Sequence, residues 1–418
     1  MKIIKIKGGN ILKGKIEVSG AKNAAVALIP ASILSDDIAT IYNVPEITDI
    51  VALEEILRVL NCKTDIDKDR MTIDTKNMQN IEIGEEISQK LRASYYFMGA
   101  LLGKYHKVSM YFPGGCSIGT RPIDLHLKGF EALGAKVENN KNQYIVSADK
   151  LKGADIYLDF ASVGATINIM LAAVKAEGTT TIDNAAKEPE IVNVATYLNS
   201  MGAKISGAGT SKITIKGVKK LSRAMGEIIP DRIEAGTYII IGALTGDKLR
   251  IEKLIPEHIE ALISKLEEMK VDIKVGEDYV EVSKTDNLLP ANIKTAVYPG
   301  FATDLQQPLT VLQTQCNGKS IVTETIYENR FMHIAYLNEM GAKITTNNTK
   351  AIIEGKTNLK GCEVAATDLR GGAAMVEAGL IAKGTTIITK PEHILRGYSN
   401  IIKKLKKVGA EISVEEVK

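Results

Sequence analysis

One phrase returns along the chain, and it limits the possible folds more than any other feature. It appears as Leu133-Gly134-Ala135-Lys136-Val137, Met201-Gly202-Ala203-Lys204-Ile205 and Met340-Gly341-Ala342-Lys343-Ile344. A looser copy is Val408-Gly409-Ala410-Glu411-Ile412, and degenerate copies are Leu60-Asn61-Cys62-Lys63-Thr64 and Met269-Lys270-Val271-Asp272-Ile273. Each reads as the end of a helix followed by a strand, with Gly or Asn suited to a left-handed cap. The cap positions 61, 134, 202, 270, 341 and 409 lie 73, 68, 68, 71 and 68 residues apart. A second marker, a glycine turn opening a strand, stands at Gly178, Gly246, Gly318 and Gly384. Six copies at one period define a repeat architecture.

Within a repeat the residues read as strand, amphipathic helix, strand, then short strands with turns. Val51 to Leu60 carries the helical period, and Lys136–Val146 reads as a hairpin. Six units divide as three plus three, with a hinge expected at 226–231. This gives a first domain at 22–229 and a second at 1–21 plus 230–418. At 418 residues, 45% apolar and 25% charged, the chain is long enough for two substantial cores. It has no Trp and six Phe, so aliphatic side chains must build those cores.

Composition also excludes. A net charge of +3 argues against a nucleic-acid partner. The Ala24–Leu34 apolar run is broken by Pro30 and too short to span a bilayer. Met1–Lys7 alternates like a strand rather than a signal peptide, and the four cysteines are widely spaced; a cytoplasmic protein with reduced thiols is expected. Five scattered histidines without HExxH offer no metal site. Gly9-x4-Gly14-Lys15 falls one residue short of a P-loop and leads into a strand; Gly207–Lys212 reads as a hairpin loop.

The chemistry concentrates in Phe112-Pro113-Gly114-Gly115-Cys116-Ser117-Ile118-Gly119-Thr120-Arg121-Pro122-Ile123-Asp124-Leu125-His126. Its glycines and prolines exclude a helix or central strand, so it is an exposed loop preceding a helix at 124–133. It sets a cysteine near an arginine, and a guanidinium beside a thiol favours the reactive thiolate. By residue types alone, a plain Gly/Pro loop with an incidental cysteine fits equally well. Lys22 and Asn23 stand at a helix start after a glycine turn, suited to an anion, although a solvated lysine is the commoner arrangement. Arg92, Arg330, Arg370 and Arg396 sit at turn or helix boundaries. Asp304 follows Pro299-Gly300 and, on residue type alone, fits a helix N-cap better than a base.

The wording of the cysteine loop resembles the catalytic loop of the UDP-N-acetylglucosamine 1-carboxyvinyltransferases, a family of enolpyruvyl transferases that opens peptidoglycan synthesis. Further segments resemble that family in the same order over nearly the whole chain. They include Ser19–Ala24, Arg92-Ala93-Ser94, Ser162–Thr166, Ala185–Val192, Pro230–Thr237, Thr303-Asp304, Glu328–His333 and Ala366–Arg370. The resemblance implies a two-domain inside-out α/β barrel of six βαβαββ repeats, three per domain, with the active site in the interdomain cleft. It implies addition–elimination between phosphoenolpyruvate and the 3′-hydroxyl of UDP-N-acetylglucosamine, with no metal and no cofactor. Cys116 would be the general acid, open to a covalent adduct and to the epoxide fosfomycin, and Asp304 the base. Lys22, Arg121 and Arg396 would hold phosphoenolpyruvate, supported by Arg92, Arg330 and Arg370. Asn23 and Ile326 would touch the sugar; Arg121, Pro122, Ile123, Asp124 and Leu125, with Ser162, Val163 and Gly164, would line the UDP site. One departure is Phe160, where some members carry a basic residue, which puts a diphosphate contact in doubt. The competing readings are the sister enzyme acting on shikimate 3-phosphate, against which the cysteine loop argues, and a non-catalytic sensor of the UDP sugar. Neither reading assigns an oligomeric state.

Overall fold

The computed structural model of the protein describes residues 2–90, 92–111, 123–140 and 142–416, without the side chains of Lys90, Arg92 and Ala93. Cys116, Arg121 and Pro122 thus lie outside the described residues, as does the Arg92 side chain. The described chain forms two compact units, with crossings at Ser19–Gly20 and Ile229–Pro230.

Each unit carries three sheets, one per repeat. A complete repeat runs edge strand, buried helix, strand, amphipathic helix, and a two-stranded hairpin. The third repeat is the simplest case: Asp155–Tyr157, Val163–Ala173, Thr179–Asp183, Pro189–Ser200, Lys204–Ser206 and Lys212–Lys216. Its edge strand pairs parallel with Thr179–Asp183, and the other pairings are antiparallel. In the second repeat the edge strand shrinks to one parallel bridge, Ile83 to Met110, beside a three-stranded sheet.

All six predicted cap positions adopt left-handed backbone: Asn61, Gly134, Gly202, Lys270, Gly341 and Gly409. Lys270 does so without the glycine that would make it easy. The second marker holds at Gly178, Gly318 and Gly384 but fails at Gly246, whose φ is −74°; there the positive φ has moved to Lys248. The helix Arg232–Thr245 runs to the turn itself, so the reversal comes two residues later.

The residue-level order omitted one element, the buried helix. Val163–Ala173 and Arg232–Thr245 are covered on nearly every side, so they show no polar stripe for a periodicity argument to find. In the C-terminal unit, helices Arg232–Thr245, Thr303–Gln313 and Leu369–Ile381 pack against one another at the centre. In the N-terminal unit, helix Tyr96–Tyr105 packs on both Lys22–Ser32 and Val163–Ala173. The approach is closest at Gly99, where an added Cβ would sit 2.3 Å from the Asn168 carbonyl oxygen. Each fully buried Ile or Leu in these helices contributes roughly 1.5–3 kcal/mol.

Two edge strands come from distant sequence. Lys15–Glu17 joins the fourth repeat, pairing parallel with Leu249–Glu252, while Ala224–Glu227 joins the first, pairing parallel with Ile38–Tyr42. Lys2–Lys7 fills the missing hairpin position of the sixth repeat, between Thr385–Thr389 and Glu411–Glu416.

Candidate active site

The buried helices begin with charge. Lys22, Arg92, Arg232, Asp304 and Arg370 each fall within the first two residues of their helix or opening 3-10 turn. The first turn of a helix has backbone N–H groups without intrahelical partners, so these are suitable places for anion chemistry.

In the N-terminal unit, Lys22 Nζ pairs with Asp49 Oδ2 at 2.6 Å, and both side chains are largely buried. Asp49 is supplied by the amphipathic helix Thr48–Val59. Asn23 is exposed beside it. Ser162 caps helix Val163–Ala173 by accepting a hydrogen bond from the Ala165 N–H at 3.3 Å, and Val163 and Gly164 follow half-buried. The nearby turn is stiff: Asn168 Nδ2 bonds the Tyr95 carbonyl and His126 Nδ1, each at 2.9 Å, while Asn168 Oδ1 accepts from Gly99 N–H at 2.8 Å. His126 packs edge-on to Tyr95 with ring centres 4.9 Å apart. This holds the start of helix Asp124–Ala132, with Ile123 buried, Leu125 half-buried and Asp124 exposed. Phe160 is exposed.

In the C-terminal unit, one carboxylate sits between two guanidiniums. Asp304 Oδ1 accepts from Arg330 Nη2 at 2.8 Å, and Oδ2 accepts from Arg370 Nε at 3.1 Å. The two arginine side chains are only 2% and 3% exposed, whereas Asp304 is 26% exposed. Arg330 Nη1 and Arg370 Nη1 are buried with no hydrogen-bond partner among the described residues. Asp304 is the second residue of helix Thr303–Gln313, not its N-cap, which is Ala302, and its carboxylate faces the two arginines.

A second row fixes these groups. Gln307 Oε1 accepts from Arg330 Nε at 3.4 Å, and its Nε2 donates to Asp368 Oδ2 at 3.0 Å. Asp368 Oδ1 caps helix Leu369–Ile381 through the Arg370 and Gly371 N–H groups. Burial alone would raise the Asp368 carboxyl, but the Arg330 charge and these donors hold it below the usual carboxylate range. Burial works against the charge of Arg330 and of Arg370. Asp304 and Asp368 outweigh it for Arg330, and Tyr398, Asp304 and Asp231 for Arg370, so both bind their protons more firmly than usual. Complete burial pulls His333, next to Arg330, down to about 4. Glu324, also buried, accepts from Thr295 and Thr303 hydroxyls and from the Ile326 N–H, each at 2.8 Å, tying the Ile326 turn to the start of the Asp304 helix. Arg396 lies half-buried at the end of the short helix Glu392–Leu395.

The structure thus brings together Asp304, Arg330 and Arg370, which the sequence offered only as separate candidates. Asp49, Glu324, Gln307 and Asp368 were not assigned any role. Asp368 preceding the Leu369-Arg370-Gly371 start had a readable capping signature; the others had no local signal, because their side-chain partners lie 21 to 61 residues away.

Comparison with known proteins places this arrangement. The profile of the EPSP synthase (3-phosphoshikimate 1-carboxyvinyltransferase) family matches residues 6–405. The enolpyruvyl transferase NikO from Streptomyces tendae superposes with a TM-score of 0.91 at 25% identity, covering 100% of this chain and 99% of that one. EPSP synthase from Acinetobacter baumannii shares the fold at a TM-score of 0.76 and 20% identity, each chain covered in full. Fold and profile define an enolpyruvyl transferase. Among curated sequences, UDP-N-acetylglucosamine 1-carboxyvinyltransferase 2 of Geobacillus kaustophilus is 52% identical over 99% of this chain and 97% of its own. The proteins of that name from Listeria monocytogenes and Bacillus subtilis are each 52% identical, over 98% and 99% of this chain and 96% of their own lengths. The chain belongs to the UDP-N-acetylglucosamine 1-carboxyvinyltransferase family.

Proposed function

We propose that this protein transfers the enolpyruvyl group of phosphoenolpyruvate to the 3′-hydroxyl of UDP-N-acetylglucosamine, releasing phosphate, as the first committed step of peptidoglycan synthesis. The observation that carries the reading is the Asp304 cluster: two buried guanidiniums, each with an Nη1 lacking a partner among the described residues, around a carboxylate that solvent can reach. Buried donors of this kind call for an anionic acceptor. Relatives bearing the transferase name over nearly the full length support the identity of the substrates.

The chemistry is addition followed by elimination. Asp304 takes the proton of the sugar hydroxyl as its oxygen bonds to C2 of phosphoenolpyruvate, while Cys116 delivers a proton to the methylene carbon. The tetrahedral ketal then gives up a proton from its new methyl group to the thiolate left at Cys116 and expels phosphate, leaving the enol ether. Both Asp304 oxygens are occupied by arginines. A carboxylate or phosphate that draws Arg330 or Arg370 toward itself frees one oxygen to act as base. Substrate binding thereby switches on the base it needs.

Lys22, Arg121 and Arg396 hold the phosphate and carboxylate, and Arg92, Arg330 and Arg370 contribute charge. Each charge-assisted hydrogen bond is worth about 1.5–3 kcal/mol. Asn23 and Ile326 meet the sugar; Pro122, Ile123, Asp124, Leu125, Ser162, Val163 and Gly164 line the nucleotide site. In this reading 22–229 forms one domain, and 1–21 with 230–418 the other. No metal or cofactor takes part, and the enzyme works in the cytoplasm. Among the described residues no helix is long and apolar enough to cross a membrane.

Phosphate release from phosphoenolpyruvate tests the proposal, measured with UDP-N-acetylglucosamine, with shikimate 3-phosphate and with no acceptor. Release only with the UDP sugar is expected. Release only with shikimate 3-phosphate would overturn the substrate, and no release despite UDP-sugar binding would make the protein a sensor.

A further inference from the structure

Beyond the residues already given roles, one buried side chain touches the machinery of the C-terminal unit from two directions. Tyr398 is 1% exposed. Its ring lies beneath Arg370, with the guanidinium carbon 5.1 Å from the ring centre. Its hydroxyl shares a hydrogen bond of 3.0 Å with Thr237 Oγ1, on helix Arg232–Thr245. Thr237 Oγ1 also donates to the Ile233 carbonyl at 2.9 Å, one turn earlier, so in the Thr237–Tyr398 bond the tyrosine hydroxyl is the donor. The same residue anchors the turn that carries Arg396. Between them Gly397 presses on the start of helix Leu369–Ile381, where an added Cβ would meet Leu369 Cδ2 at 2.6 Å. The turn therefore packs closely on the first residue of that helix.

We infer that Tyr398 is a positioning residue: through its hydroxyl bond to Thr237 it sets the Arg370 guanidinium and the Arg396 turn in the register that receives an anionic substrate. The physical case is one of orientation. Arg370 Nε is already committed to Asp304, and Nη1 remains without a partner among the described residues. Where Nη1 points is set by rotation about the bond to that fork, and the ring beneath it is the surface that limits the rotation. A phenylalanine would keep the ring and the packing but lose the hydroxyl, and with it both the tether to Thr237 and the polar contact with the Arg370 guanidinium. The buried Thr237 hydroxyl would keep its bond to Ile233.

The inference rests on the proposed function for its choice of anion, and the experiment separates the two. In the full-length protein, Tyr398→Phe, Thr237→Val and Thr237→Ser are compared with wild type. The readouts are kcat, KM for each substrate, melting temperature and the thermal shift produced by inorganic phosphate. Tyr398→Phe and Thr237→Val are expected to raise KM for phosphoenolpyruvate about 5- to 20-fold, with KM for the UDP sugar within twofold, and to shrink the phosphate shift. Thr237→Ser, which restores a hydroxyl, is expected to return both toward wild type. A merely structural role would lower melting temperature and active fraction while leaving the two KM values unchanged, and that pattern would overturn the inference. Equal increases in both KM values would overturn it as well. If wild-type protein transfers no enolpyruvyl group, the functional reading fails; the phosphate shift still decides, since an undiminished shift in Tyr398→Phe rejects the positioning role.

Discussion

Replacing Asp304 with asparagine removes one negative charge from between two buried positive ones and changes almost nothing in shape. Arg330 and Arg370 are 2% and 3% exposed, so water cannot take over the lost charge. Breaking a buried ion pair from one side costs about 3–5 kcal/mol, because the remaining charges stay buried with their nearest counter-charge gone; among the described residues Asp368 and Asp231 are then left to offset Arg330 and Arg370. The asparagine oxygen can still accept from one guanidinium, but its amide hydrogens face the other. At roughly 2–4 °C per kcal/mol for chains of 150–250 residues, the transition of the C-terminal unit should fall by about 6–20 °C. Inorganic phosphate should repair the deficit, since an anion can occupy the donors that Asp304 has left. Its affinity should rise at least tenfold over wild type, about 1.4 kcal/mol. Turnover should drop by roughly 10²–10⁴, the usual contribution of a general base. The assay is thermal unfolding across a phosphate titration, with phosphate release from phosphoenolpyruvate measured alongside. A variant that melts with wild type and responds to phosphate no more strongly would refute the argument that Asp304 is the counter-charge of the two arginines.

Three further outcomes are expected. Glu377 is fully buried, neither carboxyl oxygen has a partner among the described residues, and burial raises its pKa well above the ordinary 4.5. Below 4.5 it is protonated in both states; above it only the unfolded chain ionises, so wild type loses about 1.4 kcal/mol per pH unit that Glu377→Gln does not. The melting-temperature advantage of Glu377→Gln should therefore widen from pH 4.5 to 6.5, and a gap that stays constant with pH would contradict a neutral Glu377. Gly99→Ala should destabilise the N-terminal unit by about 1–3 kcal/mol in a denaturant titration, because its Cβ would lie 2.3 Å from the Asn168 carbonyl oxygen. Cys116→Ser should lose most turnover while calorimetry finds UDP-N-acetylglucosamine affinity within a few-fold of wild type, and wild type incubated with fosfomycin and the UDP sugar should be inactivated; near-normal turnover of the variant at neutral pH would reject the general-acid role.

What the sequence determined by itself is local. The repeat was legible because a left-handed cap demands glycine or asparagine, and four of its six caps are glycine and one asparagine. Amphipathic helices such as Thr48–Val59 declared their buried face through their period. Arg330, Arg370 and Asp304 were recognisable one at a time, as charges at turns and helix starts. Tertiary structure decided everything that depends on a distant partner. Nothing within Lys15–Glu17 says that it will pair with Leu249–Glu252, because a strand's own residues state which face is apolar but not which edge it will meet. Helices Val163–Ala173 and Arg232–Thr245 were missed for a related reason: a helix covered on all sides has no polar stripe to betray its period. Asp304, Arg330 and Arg370 are 26 to 66 residues apart and become one site only when helices Thr303–Gln313 and Leu369–Ile381 pack together. Gln307, Glu324 and Tyr398 acquire their roles in the same step. A hydrogen bond needs both partners within about 3 Å, and only the packing of the buried helices brings them that close.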